Sequence, residues 1–257
     1  MNILTRGSCP TETPIKGRVV PILDLTGPEQ MALDVILLEN SIQERVPSPV
    51  VRFYTWKGCW LSIGRNQKNI PKNWCSLVKK QELEIVRRPS GGSAVLHSGG
   101  LTYSLIWPYA PRKRKEAYKE SCHWLKGGFR EIGLPLFFGN EISEPQTTSC
   151  FSTSTCADLI DKNGEKRIGS AQLWKQGHLL QHGEILLDPP PQLWEEIFSS
   201  KAPKSVSSFI PREGLDQFLY KACRLCWPEV HWENGKISQK ELNVASNAAK
   251  RYSLKFD

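Results

Sequence analysis

Residues 86–108, VRRPSGGSAVLHSGGLTYSLIWP, contain two Gly-Gly pairs within two runs that otherwise have the composition of β-strands. Glycine weakens a strand, because its backbone is flexible and it has no side chain to pack. Small residues around the first pair would let a ligand lie against the main chain, whose N–H groups would donate to a carbonyl, carboxylate or phosphate oxygen. The alternative is a β-bulge at a sheet corner, which also favours glycine. The small residues are Ser90, Gly91, Gly92, Ser93 and Ala94.

Four titratable side chains lie beside glycine-containing turns. Arg87 and Arg88 directly precede the first turn, and we expect one of them to reach a bound anion while the other is solvated. His97 and His182 each lie between a strand and a glycine. Either could act as a general base, although a histidine in a strand more often makes a structural hydrogen bond.

The composition of the 257 residues is typical of a globular protein, with 39% hydrophobic side chains. No apolar run approaches the roughly 18 residues that a membrane helix needs, and the first residues contain no apolar signal segment. We therefore expect a cytoplasmic protein without a membrane partner, whose eight cysteines are thiols. Cys223 and Cys226 form a single pair without a second pair or a nearby histidine, so we expect buried thiols there and no metal site.

The chain is basic, with 34 Lys and Arg against 26 Asp and Glu and a net charge of +8. The densest cluster is RKRK at 112–115, which is either a solvated helix start or a docking surface for an acidic partner. No basic stripe is interleaved with aromatic residues. We therefore expect an acidic protein as the partner and no nucleic acid.

The order of segments predicts an α+β protein. Residues 52–67 indicate two strands joined by a tight turn, and residues 156–187 indicate a meander of antiparallel strands. The turns of that meander are expected at Asn163-Gly164 and at Gln176-Gly177. Apolar periodicity and capping patterns predict helices at 26–43, 113–132, 192–199, 211–226 and 238–251.

We expect these elements to form a mixed, largely antiparallel sheet flanked by helices. No internal repeat or low-complexity linker divides the sequence. The prediction is a single domain over residues 1–257, with a core at about 20–190 and a helical C-terminal portion at 191–257.

A second candidate segment is EKRIGSAQ, residues 165–172. If it is a strand, Lys166, Ile168 and Ser170 share one face, opposite Arg167 and Gly169. Lysine followed by small residues could place an ammonium group over a cavity beside the glycine turn. The alternative is a surface lysine near a hairpin, which is the more common situation for lysine.

A third candidate segment is TTSCFSTSTC, residues 147–156. Cys150 lies among serine and threonine residues without a clear helix or strand pattern, and its thiolate could be stabilised by Lys166 or by main-chain N–H groups. Cys156 is the competing thiol. Spacing alone does not choose between them.

Together, RRPSGGSAVLH, KRIGSAQ and LQHGEILLD resemble, in this order, the motifs of the lipoate-protein ligase and octanoyltransferase family. MALD at 31–34 and RFYTWKGCWLSIGRNQ at 52–67 extend the resemblance over roughly residues 20–190. It implies the biotin/lipoyl-ligase catalytic fold. The glycine pair would line a tunnel for the carbonyl end of an acyl chain, and each buried CH₂ of the tail would contribute about 0.8 kcal/mol.

The resemblance also implies roles for individual residues. In one branch of single-domain octanoyltransferases a Cys-Phe pair precedes the lysine motif, which implies that Cys150 is the nucleophile and Lys166 its catalytic partner. Ser93 replaces a usual third glycine, Ser154-Thr155 replace Pro-Ser, and one extra residue separates Cys150 from Lys166, but these departures remove no reactive group. The substrate-binding residues implied are Arg87, Arg88, Ser90, Gly91, Gly92, Ser93, Ala94, His97, Gly169, Ser170, Ala171 and His182.

The reaction implied is transfer of an octanoyl group from acyl carrier protein, through a thioester on Cys150, to the lysine of a lipoyl domain. Acceptors would be proteins such as the glycine cleavage H protein or dehydrogenase E2 subunits. No cofactor is expected, because a thioester is already activated. The alternatives are an ATP-dependent lipoate-protein ligase, which would use ATP and Mg²⁺, and an amidotransferase between lipoyl domains. A biotin ligase fits less well, since its Gly-Arg-rich loop differs from RRPSGG, and a binding protein without chemistry would not need Cys150 and Lys166.

Overall fold

The computed structural model describes residues 15–139 and 158–254. Both candidate nucleophiles, Cys150 and Cys156, lie outside the described residues. The strands of the described part are β1 (Ile15–Leu25), β2 (Val50–Trp56), β3 (Trp60–Ile63), β4 (Glu84–Arg87), β5 (Val95–His97), β6 (Gly100–Trp107), β7 (Phe137–Phe138), β8 (Leu159–Ile160), β9 (Lys166–Lys175), β10 (His178–Leu186) and β11 (Val230–Asn234). Its helices are α1 (Gly27–Gln43), α2 (Lys72–Lys79), α3 (Arg114–Glu131), α4 (Pro191–Phe198), α5 (Leu215–Cys226) and α6 (Gln239–Ala248), the last followed by a 3₁₀ turn at Ala249–Arg251.

The strands form two sheets. The large sheet has the order β11-β1-β2-β6-β10-β9-β8-β7, and the small sheet has the order β4-β3-β5. In the large sheet β1 is parallel to both β11 and β2, whereas the remaining neighbours are antiparallel. In the small sheet β3 is parallel to β4 and antiparallel to β5. The prediction of an α+β fold with a mixed, largely antiparallel sheet is therefore confirmed.

Local sequence signals explain where several elements begin and turn. Helix α1 starts with a capping box, in which the N–H and hydroxyl groups of Thr26 donate to Glu29 Oε2 at 3.1 and 2.6 Å. The hairpin of β9 and β10 turns at Gln176 and Gly177, whose φ angles are 50° and 81°. Positive φ at both central residues is the geometry that matches the twist of the flanking strands. Strands β8, β9 and β10 form the predicted meander.

Between residues 50 and 107 the sequence indicated two pairs of strands, whereas the structure has five strands and helix α2. The pairing of these strands does not follow chain order. Strand β2 belongs to the large sheet and β3 to the small one, and β5 and β6 are divided in the same way. The tight connections therefore cross from one sheet to the other. This arrangement places the glycine-rich residues 90–100 where the two sheets meet.

The C-terminal portion contains the three predicted helices and also a strand that the sequence pattern did not predict. Strand β11 lies at the edge of the large sheet, parallel to β1, so this portion is not wholly helical.

Helix α5 packs on α3, where Gly128 lies so close to Leu219 that a Cβ atom would be 2.8 Å from Leu219 Cδ2. Leu215, Leu219, Cys223 and Trp227 share one apolar core with Tyr103 and Leu105 of β6. Among the described residues, we find no candidate for a membrane-spanning helix.

The paired cysteines of α5 face the interior. Cys223 is fully buried in the main core, and Cys226 packs against the same core. Burial raises the pKa of the Cys223 thiol well above its usual value and that of Cys226 to about 11. Both residues therefore behave as apolar core side chains, as predicted.

Candidate functional site

A cavity of about 750 Å³ lies between the two sheets. Its walls combine a group of aromatic side chains with the small residues and histidines of the predicted motifs. From the small sheet and its connections come Ser62, Asn66, Gln67, Arg88, Gly92, Ser93, Ala94, Val95 and His97. From the large sheet come Tyr54, Trp56, Thr102, Asp158, Lys166, Gly169, Ser170, Ala171, His182, Gly183 and Glu184. Met31, Trp74, Phe198 and Ser200 complete the lining.

The first Gly-Gly pair belongs to a loop that joins β4 to β5, which we call the glycine loop (residues 88–94). It is not a bulge within a strand, because β5 begins only at residue 95. A Cβ atom at Gly64 would collide with the carbonyl oxygen of Gly92, so two main chains lie in contact here. Gly92 has a φ of 93°, which favours glycine, and the Cβ position of Gly91 is open. Among the hydrogen bonds of the described residues, none uses the main-chain N–H groups of Gly91, Gly92 or Ser93.

The second Gly-Gly pair, Gly99 and Gly100, is explained by close packing. A Cβ atom at Gly99 would collide with the carbonyl oxygen of Asp188, and one at Gly100 would collide with the side chain of Glu184. These glycines therefore let β6 begin directly against the end of β10. Gly100 thus leaves room for the Glu184 side chain, and Gly99 leaves room for the main chain of Asp188.

The two arginines before the glycine loop hold main-chain carbonyl groups. Arg87 Nη1 donates to the carbonyl oxygens of Gly64 and Gln67 at 3.1 and 2.6 Å. Arg88 is buried, and its guanidinium donates to the carbonyl oxygens of Ser62, Gly91 and Ser93 at 2.7–3.1 Å. The expectation that one of the two arginines is solvated is therefore corrected, since both guanidinium groups donate to main-chain carbonyl oxygens. The expected contact with a bound anion stays a prediction. Burial lowers the pKa of Arg88 to about 10.

Lys166 lies at the cavity with Asp158 as its counter-ion, at an Nζ to Oδ1 distance of 2.7 Å. The pairing of β8 with β9 is shifted here, because Leu159 pairs with Ile168 while Ile160 pairs with Lys166. One extra residue on β9 interrupts the strict alternation of faces, as a bulge does. The ammonium group consequently lies on the side of Gly169, where a Cβ atom would be 3.1 Å from Lys166 Nζ. The expectation that Lys166 shares a face with Ile168 and opposes Gly169 is therefore corrected.

His182 belongs to a buried chain of polar groups. Its Nδ1 atom is 2.9 Å from Asp34 Oδ2, and its Nε2 atom is 2.6 Å from Ser90 Oγ. Asp34 also forms a buried ion pair with Arg52 at 2.9 Å and accepts a hydrogen bond from Tyr54 at 3.1 Å. Burial alone would raise the pKa of Asp34, but Arg52 and His182 outweigh it and hold that pKa below its usual value. The carboxylate is therefore a permanent acceptor.

His97 belongs to a parallel chain. Its Nδ1 atom is 2.7 Å from Glu184 Oε2, and its Nε2 atom is 2.8 Å from Ser62 Oγ. The ring stacks on Trp56 with a centroid separation of 4.0 Å, and Thr102 donates a hydrogen bond to Glu184. Burial is the largest influence on His97 and lowers its pKa despite the adjacent carboxylate. Both histidines thus make structural hydrogen bonds at the wall of the cavity.

Ser170 is held from the opposite side by a second polar network. Its hydroxyl lies 2.7 Å from Tyr103 Oη, which in turn accepts from Gln181 Nε2 at 2.9 Å. Gln181 Oε1 accepts from Ser121 of α3 at 2.7 Å. The network fixes the strand that carries Gly169, Ser170 and Ala171. These three residues line the cavity.

Sequence reasoning did not identify three buried charged residues at the site, which are two carboxylates and one arginine. Asp34 lies in the apolar run MALDVILL, Glu184 in QHGEILL, and Arg52 in VVRFY. A single charged residue inside an apolar run indicates a buried and paired charge, because an unpaired one would be very costly. This signal is present in the sequence and could have found all three. It does not reveal which charges pair.

The part of the chain that forms the cavity is similar in sequence to known proteins. The family model of the lipoyl protein ligase A/B catalytic domain matches residues 26–214, which contain the cavity. The octanoyltransferase LipM of Geobacillus kaustophilus is 38% identical over 180 residues, covering 65% of this chain and 64% of the relative. That of Bacillus subtilis is 39% identical over 171 residues, covering 62% and 60%. The matched region therefore spans less than two thirds of the length of these relatives.

The fold has solved counterparts. The structure of a T. acidophilum protein with bound lipoic acid superposes with a TM-score of 0.77 at 18% sequence identity, covering 92% of this chain and 96% of that one. At this identity the likeness concerns the fold alone. Because the family model matches most of the sequence and includes the glycine loop and the Lys166 strand, this chain belongs to the lipoyl protein ligase A/B catalytic domain family.

Proposed function

We propose that this protein is an octanoyltransferase that moves an octanoyl group from acyl carrier protein to the lysine of a lipoyl domain. The observation that carries the proposal is the 38% identity with an octanoyltransferase in the family's catalytic region. The cavity supports it, because the cation of Lys166 and the glycine loop lie at one site with an aromatic wall. An acyl chain needs both a polar end and an apolar end in such a cavity.

In the first step the thiolate of Cys150 attacks the thioester carbonyl carbon of the octanoyl carrier. A new carbon–sulfur bond forms on Cys150 and the bond to the carrier sulfur breaks, so the carrier leaves as a thiolate, which takes up the proton that Cys150 released when it ionised. The carbonyl oxygen of the thioester becomes negatively charged in the tetrahedral intermediate. Lys166 Nζ and main-chain N–H groups of the glycine loop are the donors that would stabilise this charge.

In the second step the neutral amine of the acceptor lysine attacks the same carbonyl carbon. An amide bond forms, the bond to Cys150 breaks, and a proton from the amine passes to the departing thiolate. Lys166 and the glycine loop serve again, because the intermediate carries the same negative oxygen. The donor is a thioester, so the cycle needs neither a nucleotide nor a metal ion.

The proposed partners are acyl carrier protein and lipoyl-domain proteins such as the glycine cleavage H protein or dehydrogenase E2 subunits. The net charge of +8 favours acidic partners. A reactive Cys150 thiol is stable in a reducing compartment, so we propose a cytoplasmic location. Residues 1–257 are proposed to act as one catalytic domain, since Leu219 of α5 and Tyr103 of β6 share one core.

The test is the intact mass of the protein after mixing with octanoyl-acyl carrier protein in the absence of ATP. The proposal predicts an octanoyl adduct that hydroxylamine removes and that the Cys150→Ala variant does not form. Absence of an adduct, together with modification of a lipoyl domain by lipoate and ATP, would establish the ligase instead. An adduct that forms from an octanoylated lipoyl domain but not from the carrier would establish the amidotransferase.

A further inference from the structure

Two chains of buried hydrogen bonds end on the glycine loop. The first runs from Asp34 Oδ2 through His182 to Ser90 Oγ, with distances of 2.9 and 2.6 Å. All three side chains are buried. Because Asp34 is ionised and paired with Arg52, it can only accept, so His182 donates from Nδ1. The Nε2 atom is then the acceptor for the hydroxyl proton of Ser90.

The second chain runs from Glu184 through His97 to Ser62, with distances of 2.7 and 2.8 Å. It continues to the loop through Arg88, which donates to Ser62 Oγ at 3.3 Å. The same guanidinium donates to the carbonyl oxygens of Gly91 and Ser93 at 2.7 Å each. This chain thus holds the loop by its carbonyl groups and leaves its N–H groups to other acceptors.

Both chains include a side chain of one strand of the large sheet. His182 and Glu184 are two residues apart on β10, so their side chains lie on the same face. Their partners across the ladder on β9 are Ala171 and Gly169. Strand β10 is therefore bonded through its main chain to the strand of Lys166 and through its side chains to the glycine loop. It is the element that fixes the distance between the two.

We propose that His182 and His97 are positioning residues that set the glycine loop relative to Lys166, with His182 acting through Ser90. This inference rests on the proposed function, because it assigns the geometry of the same acyl site. Neither histidine has a free ring nitrogen to offer a substrate, since each carries two hydrogen bonds. Their contribution is therefore to the orientation of the loop N–H groups, which matters most in the transition state. Loss of the chain should lower kcat far more than it raises KM.

Two substitutions of His182 each keep one hydrogen bond of the first chain and remove the other. Asparagine places its amide near the Nδ1 position and keeps the bond to Asp34, whereas glutamine reaches the Nε2 position and keeps the bond to Ser90. We expect His182→Asn and Ser90→Ala to lower kcat by about ten- to a hundredfold, as a displacement near 1 Å in a catalytic group does. His182→Gln should retain most of kcat. The double variant His182→Asn/Ser90→Ala should be no worse than either single variant.

The same strand offers a matched control. His178 of β10 is also buried, and its Nδ1 atom lies 3.1 Å from Ser41 Oγ. Neither His178 nor Ser41 lines the cavity. His178→Asn and Ser41→Ala should leave kcat unchanged at a similar loss of thermal stability. Equal kcat losses in His182→Asn, His182→Gln and His178→Asn would overturn the proposal, since a general loss of stability would then explain them.

A second readout does not depend on octanoyl transfer. The chain has five histidines, so ¹⁵N-histidine labelling resolves each ring by nuclear magnetic resonance. We expect His182 to carry a proton on Nδ1, and its Nε2 resonance to move in Ser90→Ala but not in Ser41→Ala. A proton on Nε2, or an unmoved resonance, would overturn the chain as assigned. The expected spectra together with no octanoyl transfer would leave the chain intact and reject the proposed function.

Discussion

The ammonium group of Lys166 occupies the space above Gly169 that a side chain would fill. A Cβ atom at Gly169 would lie 2.8 Å from Lys166 Cε and 3.1 Å from its Nζ. Both contacts are too close, but the atoms belong to the far end of a flexible side chain. Because Gly169 in the GSAQ motif has no side chain, the side chain of Lys166 can lie over this residue and reach the cavity. The bulge in β9 places the Lys166 side chain on the same side of the strand as Gly169.

Gly169→Ala is therefore expected to displace the ammonium group with little effect on stability. The transfer rate should fall by about tenfold or more, because the donor no longer lies at the carbonyl oxygen. The checks are the steady-state rate and the melting temperature of the same preparation. Gly127→Ala on α3 is the control, since its Cβ position is open and alanine there should stabilise the helix by up to about 1 kcal/mol. A rate unchanged in both variants would contradict the assignment of Lys166.

Asp158→Asn is expected to lower kcat while leaving the fold intact. The substitution keeps the size of the side chain but removes the charge that holds Lys166 Nζ at 2.7 Å. We expect a decrease of about tenfold, since the ammonium would then be positioned by weaker contacts. The control is Glu39→Gln, which removes the exposed partner of Lys175 from an ion pair of the same 2.7 Å length. Rates that fall equally in both variants would show that the effect is one of overall charge.

Asp34→Asn is expected to destabilise the protein by about 3–5 kcal/mol, because it leaves the buried guanidinium of Arg52 without its counter-ion. The pKa of Asp34 is lower in the folded protein than its ordinary value of 3.8. Its stabilising contribution is therefore complete above that value and is lost as the pH falls through the folded pKa. Urea unfolding between about pH 2 and pH 6 should show a shallower acid loss in the variant than in the wild type.

The exposed carboxylate Asp24, which accepts a hydrogen bond from Thr55, gives the control for this experiment. Asp24→Asn should change the free energy of unfolding by less than about 0.5 kcal/mol. A loss in Asp34→Asn as small as that of the control would mean that the buried ion pair adds nothing over a neutral pair.

Elements with strong local signals were predictable, and those that depend on distant partners were not. The capping box at Thr26, the turn at Gln176-Gly177 and the apolar periodicity of α3 and α5 are local properties of the chain. Strand β1 has the sequence IKGRVVPILDL, in which glycine and proline obscure a strand pattern. It is stabilised by parallel pairing with β2 and with β11, which lies about 200 residues away in the chain. Helix α2 was not predicted; it has eight residues, as α4 has, but it lacks the proline that marks the first turn of α4.

The same distinction applies to the site. The glycine loop and Lys166 were predictable, because small residues and a lysine in that order carry their own signal. The role of Arg88 was not, since a guanidinium looks identical in sequence whether it binds a ligand or four acceptor atoms of its own fold. The face of Lys166 depended on a single-residue shift in strand pairing. The carboxylates Asp34 and Glu184 became assignable only when the structure showed their histidine partners.

Cys122 is the thiol of the described residues that most needs to be distinguished from Cys150. It lies on α3 and accepts from Gln181 Nε2 at 3.3 Å, within the network that holds the cavity residue Ser170. Burial raises the pKa of the Cys122 thiol to about 11, so at pH 8 only about one molecule in a thousand carries the thiolate, the form that reacts. We therefore expect it to be unreactive.

The measurement is alkylation of the native protein with iodoacetamide at pH 8, followed by peptide mass mapping. Cys122 and Cys223 should remain unlabelled until urea is added, whereas the partly exposed Cys75 should react in the folded state. Labelling of Cys122 as fast as that of Cys75 would mean that the packing of α3 against β10 opens in solution. Protection of Cys122 would exclude it as the source of an octanoyl adduct, so that an adduct lost in Cys150→Ala could be attributed to Cys150 itself.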